Sequence, residues 1–170
     1  MENSHRGFAG RAIARLLAGV ALAGAWFAGG CRLATPFRAS TDGTPPAAGP
    51  VVVAITHAQL DPAGRDAFDR YTDKVIASLP SNAGYLGYSV RGRLLGNEVW
   101  TMTLWRDHAA TDAFVRSSTH GQAIREGLAA VKRAQFLRFE WPAADPPPSW
   151  DEIDRRLEHV PFIDYTKEPA

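Results

Sequence analysis

The hydrophobic pattern of the chain from residue 51 onwards alternates between the strand period and the helix period. Residues 51–57 form a continuous, largely β-branched apolar run, which predicts a buried strand. Asp61 and Pro62 come next, an N-cap residue and a proline at the first helical position. The helix that they begin carries apolar side chains on one face, namely Phe68, Tyr71, Val75 and Leu79.

Two alternating runs lie beyond this helix, at residues 85–94 and 99–105. Gly96 and Asn97 between them are typical of a tight hairpin turn, so these runs are predicted to be paired strands. Strict alternation gives the first strand two faces, Leu86, Tyr88, Val90 and Leu94 against Ser89, Arg91 and Arg93. It also gives the second strand two faces, Trp100, Met102 and Leu104 against Val99, Thr101, Thr103 and Trp105.

The rest of the pattern predicts a broken helical region, a fourth strand and a short last helix. Asp107 can cap the helical region, which breaks near residues 117–118 and continues to about residue 131. Residues 135–141 alternate as a strand, and Ser149 and Glu152 have capping-box spacing at the start of the last helix. The order β-α-β-β-α-β predicts an α+β, ferredoxin-like fold, a four-stranded antiparallel sheet with helices on one face, plus a C-terminal helix.

The second face of such a sheet needs cover. Val99, Thr101, Thr103 and Trp105, or the residues that alternate with them, must be buried against something. Pairing of two sheets in a homodimer, as a dimeric α/β barrel, is the simplest solution and is our expectation. Arg91 and Arg93 are then expected on a solvated or dimer-interface face, with anion binding as the alternative. Asp151, Glu152 and Asp154 are expected to form a charged helix surface.

The start of the chain resembles an export signal. Arg6, Arg11 and Arg15 precede an uncharged run at residues 16–30, which leads into Cys31, the one cysteine of the chain. As a helix this run spans about 22 Å, short of a bilayer core of about 30 Å, so a cleaved signal peptide over residues 1–30 is favoured. The sequence AGGC at residues 28–31 resembles a lipoprotein box and makes Cys31 the candidate lipidation site, although the usual leucine is replaced by alanine. Cleavage after Ala25 and an uncleaved anchor remain the alternatives.

Composition divides the chain beyond residue 30 into a tether and one domain. Residues 31–50 are rich in proline and glycine and are expected to be an extended tether, and residues 51–170 have the size of a single domain. With the leader removed, the charges nearly balance and no basic cluster is visible, so nucleic acid is not an expected partner. The expected location is outside the cell membrane, as an anchored lipoprotein facing the periplasm or the cell exterior. No Cys pair, His-x-x-x-His or Glu-x-x-His spacing predicts a metal site, and no glycine-rich phosphate loop or nucleophile elbow is present.

Several motifs carry a family resemblance. Residues 104–107 (LWRD) and 114–120 (FVRSSTH) resemble the antibiotic-biosynthesis-monooxygenase-like domains of the dimeric α/β-barrel superfamily. Residues 139–143 (FEWPA) and 148–157 (PSWDEIDRRL) are similar to an uncharacterised bacterial branch of it, with a proline-led helix after the fourth strand. The resemblance covers about residues 51–158. It implies the barrel fold, a pocket for a small hydrophobic or aromatic molecule, and cofactor-independent oxygenation in some members.

Other members of that superfamily degrade haem, and the resemblance argues against this activity here. Haem degraders bind iron through a histidine one helical turn beyond the position of His120. This sequence has Ile124 there, and Phe114 where the haem degraders carry a tryptophan. Isoleucine cannot ligate iron, so haem degradation in their manner is disfavoured. The resemblance to the cofactor-independent members implies that no cofactor is needed.

Five residues are the candidates for chemistry. His57, at the end of the first strand, and His120, near the pocket by resemblance, are the candidate general bases. Trp105 and Phe114 could form an aromatic wall that stacks a planar ligand, and Tyr71 could orient a substrate oxygen. Each has a structural alternative: a histidine bonded to backbone or water, and aromatic rings packed in the core. A non-catalytic ligand-binding or scaffold lipoprotein is therefore the competing function.

Overall fold

The computed structural model describes residues 31–46, 49–94 and 96–166, so the predicted signal peptide lies outside the described residues. The strands are β1 (Arg32–Ala34), β2 (Arg38–Ala39), β3 (Pro50–Leu60), β4 (Tyr85–Arg93), β5 (Glu98–Trp105), β6 (Val131–Pro142) and β7 (Ile163–Asp164). The α-helices are α1 (Arg65–Ser78), α2 (His108–Val115), α3 (Ser118–Gly127) and α4 (Trp150–Leu157). Among these residues, no helix is long and apolar enough to cross a membrane.

All strands join one antiparallel sheet in the order β1-β4-β5-β3-β6-β7, with β2 also paired to β4. The predicted β-α-β-β-α-β order is confirmed as β3, α1, β4, β5, the helix pair α2–α3, and β6. The sheet stays open, and the longest pairings place β3 at its centre between β5 and β6. The chain therefore has the predicted α+β, ferredoxin-like core, widened by short edge strands.

Side-chain caps set the helix boundaries where the sequence places them. Asp61 accepts a hydrogen bond from the Ala63 amide at 2.9 Å, although the first turn is a 3-10 turn and α1 begins at Arg65. Asp107 caps α2, and Ser117 caps α3, which explains the predicted break between these helices. Ser149 caps α4 by accepting from the amide of Glu152, as the capping-box spacing predicts.

One predicted strand face is wrong, because β4 contains a bulge. The register between β4 and β5 shifts between Tyr85 and Gly87, which turns Leu86 towards α4 rather than towards α1. Tyr88 therefore faces the α1 side while Leu86 packs on the opposite side of the sheet. Gly87 has φ +155°, and a Cβ there would lie only 2.6 Å from the carbonyl oxygen of Arg38.

The expected tether is bonded to the sheet over residues 31–39. Strands β1 and β2 pair with the outer edge of β4, and the carbonyl oxygen of Cys31 accepts a hydrogen bond from the Leu94 amide at 2.9 Å. The Thr35 amide donates to the Val90 carbonyl between the two strands. Hydrogen bonds to the free edge of β4 offset the ordering entropy of this segment, so residues 31–39 are bonded to the sheet where composition predicts an extended tether.

The second face of the sheet is covered by the chain itself. Ile153 and Leu157 of α4 are buried against it, and Phe37 packs there from the segment between β1 and β2. On this face lie Val51, Val53, Ile55, Leu86, Trp100, Met102 and Leu104. Part of the cover that a partner sheet was expected to supply therefore comes from α4 and Phe37, and the homodimer stays a prediction.

The charged residues on this side also differ from the expectation. Arg91 is only 4% exposed, so it does not lie on a solvated face. It forms an ion pair with Asp154 of α4, which is itself paired to Arg32 of β1 at 2.8 Å. The acidic residue expected on the surface of α4 is thus the link between that helix, the sheet and the N-terminal strand.

Candidate functional site

The helix-facing side of the sheet is buried only at its two ends. At one end, Trp105 and Phe114 belong to a buried cluster that also contains Val52, Leu79, Tyr85 and Ala110. At the other end, the buried cluster is Ala58, Leu60 and Val99, with Phe68, Val90 and Val131 packed against it. The two clusters share no residue, so the core on this side is divided.

Two rows of side chains cross the sheet between these clusters. One row is Val90, Thr101, Thr56 and Phe136, and the next is Tyr88, Thr103, Ala54 and Arg138. The members on the central strands are only half-buried, and Phe136 is 51% exposed. Solvent therefore reaches these rows, although Ala54 and Tyr88 also pack against the cluster that contains Trp105. We call these two rows and the space above them the central groove.

The helices above the sheet are consistent with this accessibility. Helix α1 has no buried residue along its 14 positions, and α3 buries only Gly127. The face of α1 predicted from Phe68, Tyr71 and Val75 is therefore half-buried rather than closed over the sheet. Three threonine hydroxyls, those of Thr56, Thr101 and Thr103, belong to the floor of the groove.

An aromatic stack closes one end of the central groove. The rings of Trp105 and Phe114 are stacked with centroids 4.8 Å apart, and Tyr85 contacts Trp105 edge-on at 5.6 Å. The indole Nε1 of Trp105 donates to the hydroxyl of Thr103 at 2.9 Å. Trp105 has 0% exposure, so in this conformation it supports the end of the groove without itself being accessible.

His120 lies against this stack. Its ring packs on Phe114 at 4.7 Å, and its Nδ1 is 3.2 Å from the carbonyl oxygen of Val115, to which it can donate. That bond leaves Nε2 as the site for a proton to be accepted. Burial lowers the pKa of His120 below the usual imidazole value, and the bond to Val115 opposes this only in part, so the neutral base is favoured near pH 7.

Tyr71 lies apart from that stack, between α1 and α3. Its ring is 3.6 Å from where a Cβ on Gly127 would stand, and Lys74 lies over it at 5.1 Å. A hydrogen bond to Glu126 raises the pKa of the Tyr71 phenol. The structure therefore places Trp105, Phe114 and His120 together, with Tyr71 at the helix contact beside them.

His57 lies on the opposite face of the sheet. Its ring is stacked on Trp100 at 4.2 Å with an interplanar angle of 11°, and Phe162 packs against it edge-on. Its Nδ1 is 2.7 Å from Oε1 of Gln135, and its Nε2 is 3.6 Å from Glu98, just beyond hydrogen-bond distance. The two candidate bases therefore do not share a site.

Gln135 fixes the state of His57. Its Nε2 donates to the carbonyl oxygens of Leu157 at 3.0 Å and Val160 at 2.5 Å, at the end of α4. Its Oε1 must then face the imidazole as an acceptor, so His57 carries a proton on Nδ1. Burial lowers the pKa of His57, while Gln135 and Glu98 act in the opposite direction.

Sequence reasoning missed several of these residues for an identifiable reason. Gln135 and Glu98 are far from His57 along the chain, and only strand pairing brings the three together. From the sequence, Thr101 and Thr103 were predicted to lie on a sheet face that must be buried. The alternation in β5 shows which residues share a face, but it does not show which part of that face the helices leave accessible. The polarity of these threonines, on neighbouring positions of a central sheet face, is the signal that could have indicated the groove.

A second concave surface lies away from the candidate residues. It has a volume of about 420 Å³ and lies at the β4–β5 hairpin, lined by Leu33, Arg65, Gly92, Arg93, Leu94, Gly96 and Asn97. In the described part of the chain, no three His, Cys, Asp or Glu side chains are grouped as a metal site requires. Of the predicted site residues, Trp105, Phe114 and His120 contact one another at one end of the central groove.

Solved structures with a similar fold come from several bacteria. PA3566 from Pseudomonas aeruginosa is 16% identical with a TM-score of 0.52, over 56% of this chain and 98% of that one. Rv0793 from Mycobacterium tuberculosis is 17% identical with a TM-score of 0.50, over 58% and 99%. A protein of Lactobacillus acidophilus is 17% identical with a TM-score of 0.50, over 55% of this chain but only 45% of that one. These likenesses show the fold alone.

A family model also matches the part of the chain that forms most of the ferredoxin-like core. Residues 51–126 match the family model described as "Antibiotic biosynthesis monooxygenase". This stretch runs from β3 to the end of α3 and so includes Trp105, Phe114 and His120, whereas β1, β2, β6 and α4 lie outside it. No curated protein matches the sequence. Residues 51–126 of this chain are therefore similar to the antibiotic biosynthesis monooxygenase family, and the match covers less than half of the chain.

Proposed function

We propose that this domain binds a small planar organic molecule in the central groove and catalyses its cofactor-independent oxygenation. The observation that carries the proposal is the half-buried state of Thr56, Thr101 and Thr103 on the central strands β3 and β5. A flat space bounded by a sheet, with an aromatic cluster at one end, suits a planar apolar ligand with a few oxygen atoms. The hydroxyls of Thr56 and Thr101 would orient those oxygens, because the hydroxyl of Thr103 is already bonded to Trp105 Nε1 and to the carbonyl oxygen of Ala54.

His120 is the proposed general base. It would take a proton through Nε2 from an acidic C–H group of an enolisable substrate, and the resulting carbanion would reduce O2 directly. For an anthrone-type ketone, the substrate and one O2 give the quinone and one water, so the reaction needs no further reductant. The pKa of His120, lowered by burial, keeps its imidazole unprotonated and able to accept this proton. His57 would have a structural role, because it lies on the other face of the sheet.

Anthrone is a suitable probe because it is planar, enolisable and oxidised with a visible change in absorbance. We expect O2 consumption with anthrone above the uncatalysed rate, lowered about 100-fold or more by His120→Gln, as is usual for the loss of a general base. The variant His159→Gln, which removes an exposed histidine beyond α4, is the matched control and should retain full activity.

Two other results would change the conclusion. Binding of anthrone without O2 consumption would favour the alternative function, a non-catalytic ligand-binding lipoprotein. Neither binding nor O2 consumption, with the fold intact by circular dichroism, would remove the proposal of a small-molecule groove.

We also propose that the protein is exported and anchored through a lipid on Cys31. The thiol-bearing residue is exposed, and its carbonyl oxygen is bonded to Leu94. A lipid at this position would hold the sheet edge at β1 close to the membrane surface, because the bonded segment leaves no slack between residue 31 and the sheet. Members of this family are commonly dimeric. We infer that any homodimer of this chain forms outside the face that α4 covers.

A further inference from the structure

One row of the central groove continues onto the N-terminal segment. Arg38 of β2 is the register partner of Tyr88 of β4, and directly paired residues of an antiparallel sheet point to the same face. The row is therefore extended by one residue at its β4 end, and it now reads Arg38, Tyr88, Thr103, Ala54 and Arg138. An arginine lies at each end of it.

The two arginines differ in their partners, because only one of them forms an ion pair. Arg138 forms an ion pair with Asp112 of α2 at 2.5 Å. Arg38 contacts the neutral Tyr88, with a guanidinium nitrogen 3.4 Å from the phenol oxygen and the guanidinium 6.0 Å from the ring centroid. Within the described ranges, no carboxylate oxygen lies within 4 Å of Arg38. The β4 end of the groove thus carries an exposed guanidinium that has no carboxylate partner among the described residues and lies beside a hydroxyl group.

The position of Arg38 is built into the fold. The neighbouring Phe37 points the other way and packs against the core on the α4 side, which anchors β2 through the edge of the sheet. The glycine at position 87 permits this close approach, because a Cβ there would meet both Phe37 and the backbone of Arg38. Arg38 also lies outside residues 51–126, so it is an addition of this chain to the matched domain.

We propose that the ligand of the central groove is a planar aromatic anion, whose acidic group is bound by Arg38 with the hydroxyl of Tyr88 as a second donor. This inference rests on the proposed function for the existence of the groove, and adds the charge and the orientation of its ligand. A guanidinium group binds a carboxylate or sulfonate through charge-assisted hydrogen bonds, and the aromatic part would then extend over Thr103 and Ala54. Arg38 would be a specificity-determining residue supplied by the segment that precedes the domain.

A pair of fluorescent probes tests the charge of the ligand separately from the groove. The anion 8-anilinonaphthalene-1-sulfonate and the neutral N-phenyl-1-naphthylamine share the same rings and differ by the sulfonate. We expect the anion to bind the protein comprising residues 31–170 more tightly than the neutral probe. Arg38→Gln should weaken binding of the anion about tenfold and leave the neutral probe unchanged. Arg155→Gln, an exposed arginine of α4 on the opposite side of the sheet, should change neither.

A variant with a larger side chain in the groove tests whether both probes bind there. Thr101→Phe, on the central strand, should abolish binding of both, with thermal unfolding as the check that the variant is folded. Equal affinity of the two probes, or an Arg38→Gln variant that binds the anion normally, would overturn the role of Arg38 while leaving the groove intact. Binding of neither probe, or binding that Thr101→Phe does not affect, would overturn the groove itself and with it this inference.

Discussion

The guanidinium of Arg91 forms a two-point ion pair with the carboxylate of Asp154, at 2.5 and 3.0 Å, while it lies between the rings of Trp100 and Trp150. Arg91 belongs to the sheet, and Asp154 to α4. Since Asp154 also binds Arg32 of β1, a single carboxylate joins the centre of the chain to both segments that flank the matched domain. These segments cover the sheet face that would otherwise need a partner.

Removal of the Asp154 carboxylate should weaken the packing of α4 on the sheet. Asp154→Asn leaves Arg91 buried with its charge uncompensated, and we expect a loss of about 1–3 kcal/mol in the free energy of unfolding, reduced from the fully buried case because Asp154 is partly exposed. Urea denaturation measures this loss. Asp151→Asn, on the exposed side of the same helix, is the control and should cost less than about 0.5 kcal/mol. Equal stability of the two variants would show that the ion pair does not hold α4 in place.

Trp105 provides a test of core packing against ligand contact. Trp105→Ala should lower the free energy of unfolding by about 3–5 kcal/mol, because the indole is fully buried between Phe114 and Tyr85. Trp105→Phe, which keeps an aromatic ring there, should lose clearly less. Stability and binding of N-phenyl-1-naphthylamine are measured on the same samples. A small loss of stability with complete loss of binding would instead identify Trp105 as a wall of the groove.

Two histidines, the buried His57 and the half-buried His120, predict how stability depends on pH. The pKa of both His57 and His120 is lowered in the folded protein, mainly by burial. Between the folded and the unfolded pKa, the unfolded chain binds more protons, so stability is full above about pH 6.5 and is lost as the pH falls below that value. Urea midpoints between pH 8 and pH 5 measure the slope.

Single substitutions show which histidine causes the dependence of stability on pH. His120→Gln should flatten the decline in stability on acidification, and His57→Gln should do so as well. His159→Gln, at an exposed position, should retain the wild-type slope. A slope that neither of the first two variants changes would mean that other groups are responsible.

The lipid anchor has its own test in the full-length protein. Cys31→Ser should release the protein from the membrane fraction of the expressing bacterium, since the thiol is the group to be modified. The wild-type protein, expressed at the same level, should fractionate with the membranes. Continued membrane association of the variant would favour an uncleaved apolar anchor, and a soluble wild-type protein would favour ordinary signal-peptide cleavage.

The order of elements was predictable because it depends on local chemistry. Strand and helix periods, the caps at Asp61, Asp107 and Ser149, and the turn at Gly96–Asn97 act over a few residues each. The prediction failed at Leu86 because one extra residue in β4 reverses the alternation, and a bulge has no periodic signal. The prediction of an extended tether failed for residues 31–39. Composition indicates how much apolar surface a segment can bury, but it does not indicate which strand edge is free to form hydrogen bonds with that segment.

Local sequence patterns were sufficient to predict the order of the elements, the ferredoxin-like core and a family resemblance over about residues 51–158. Long-range packing supplies the cover of the second sheet face, places His57 and His120 on opposite sides of the sheet, and leaves the middle of the helix side half-buried. The physical reason is that these features depend on contacts between distant parts of the chain, such as Arg91 with Asp154 or Arg38 with Tyr88. Local periods fix where a side chain points along its own strand, whereas long-range packing decides what it meets there.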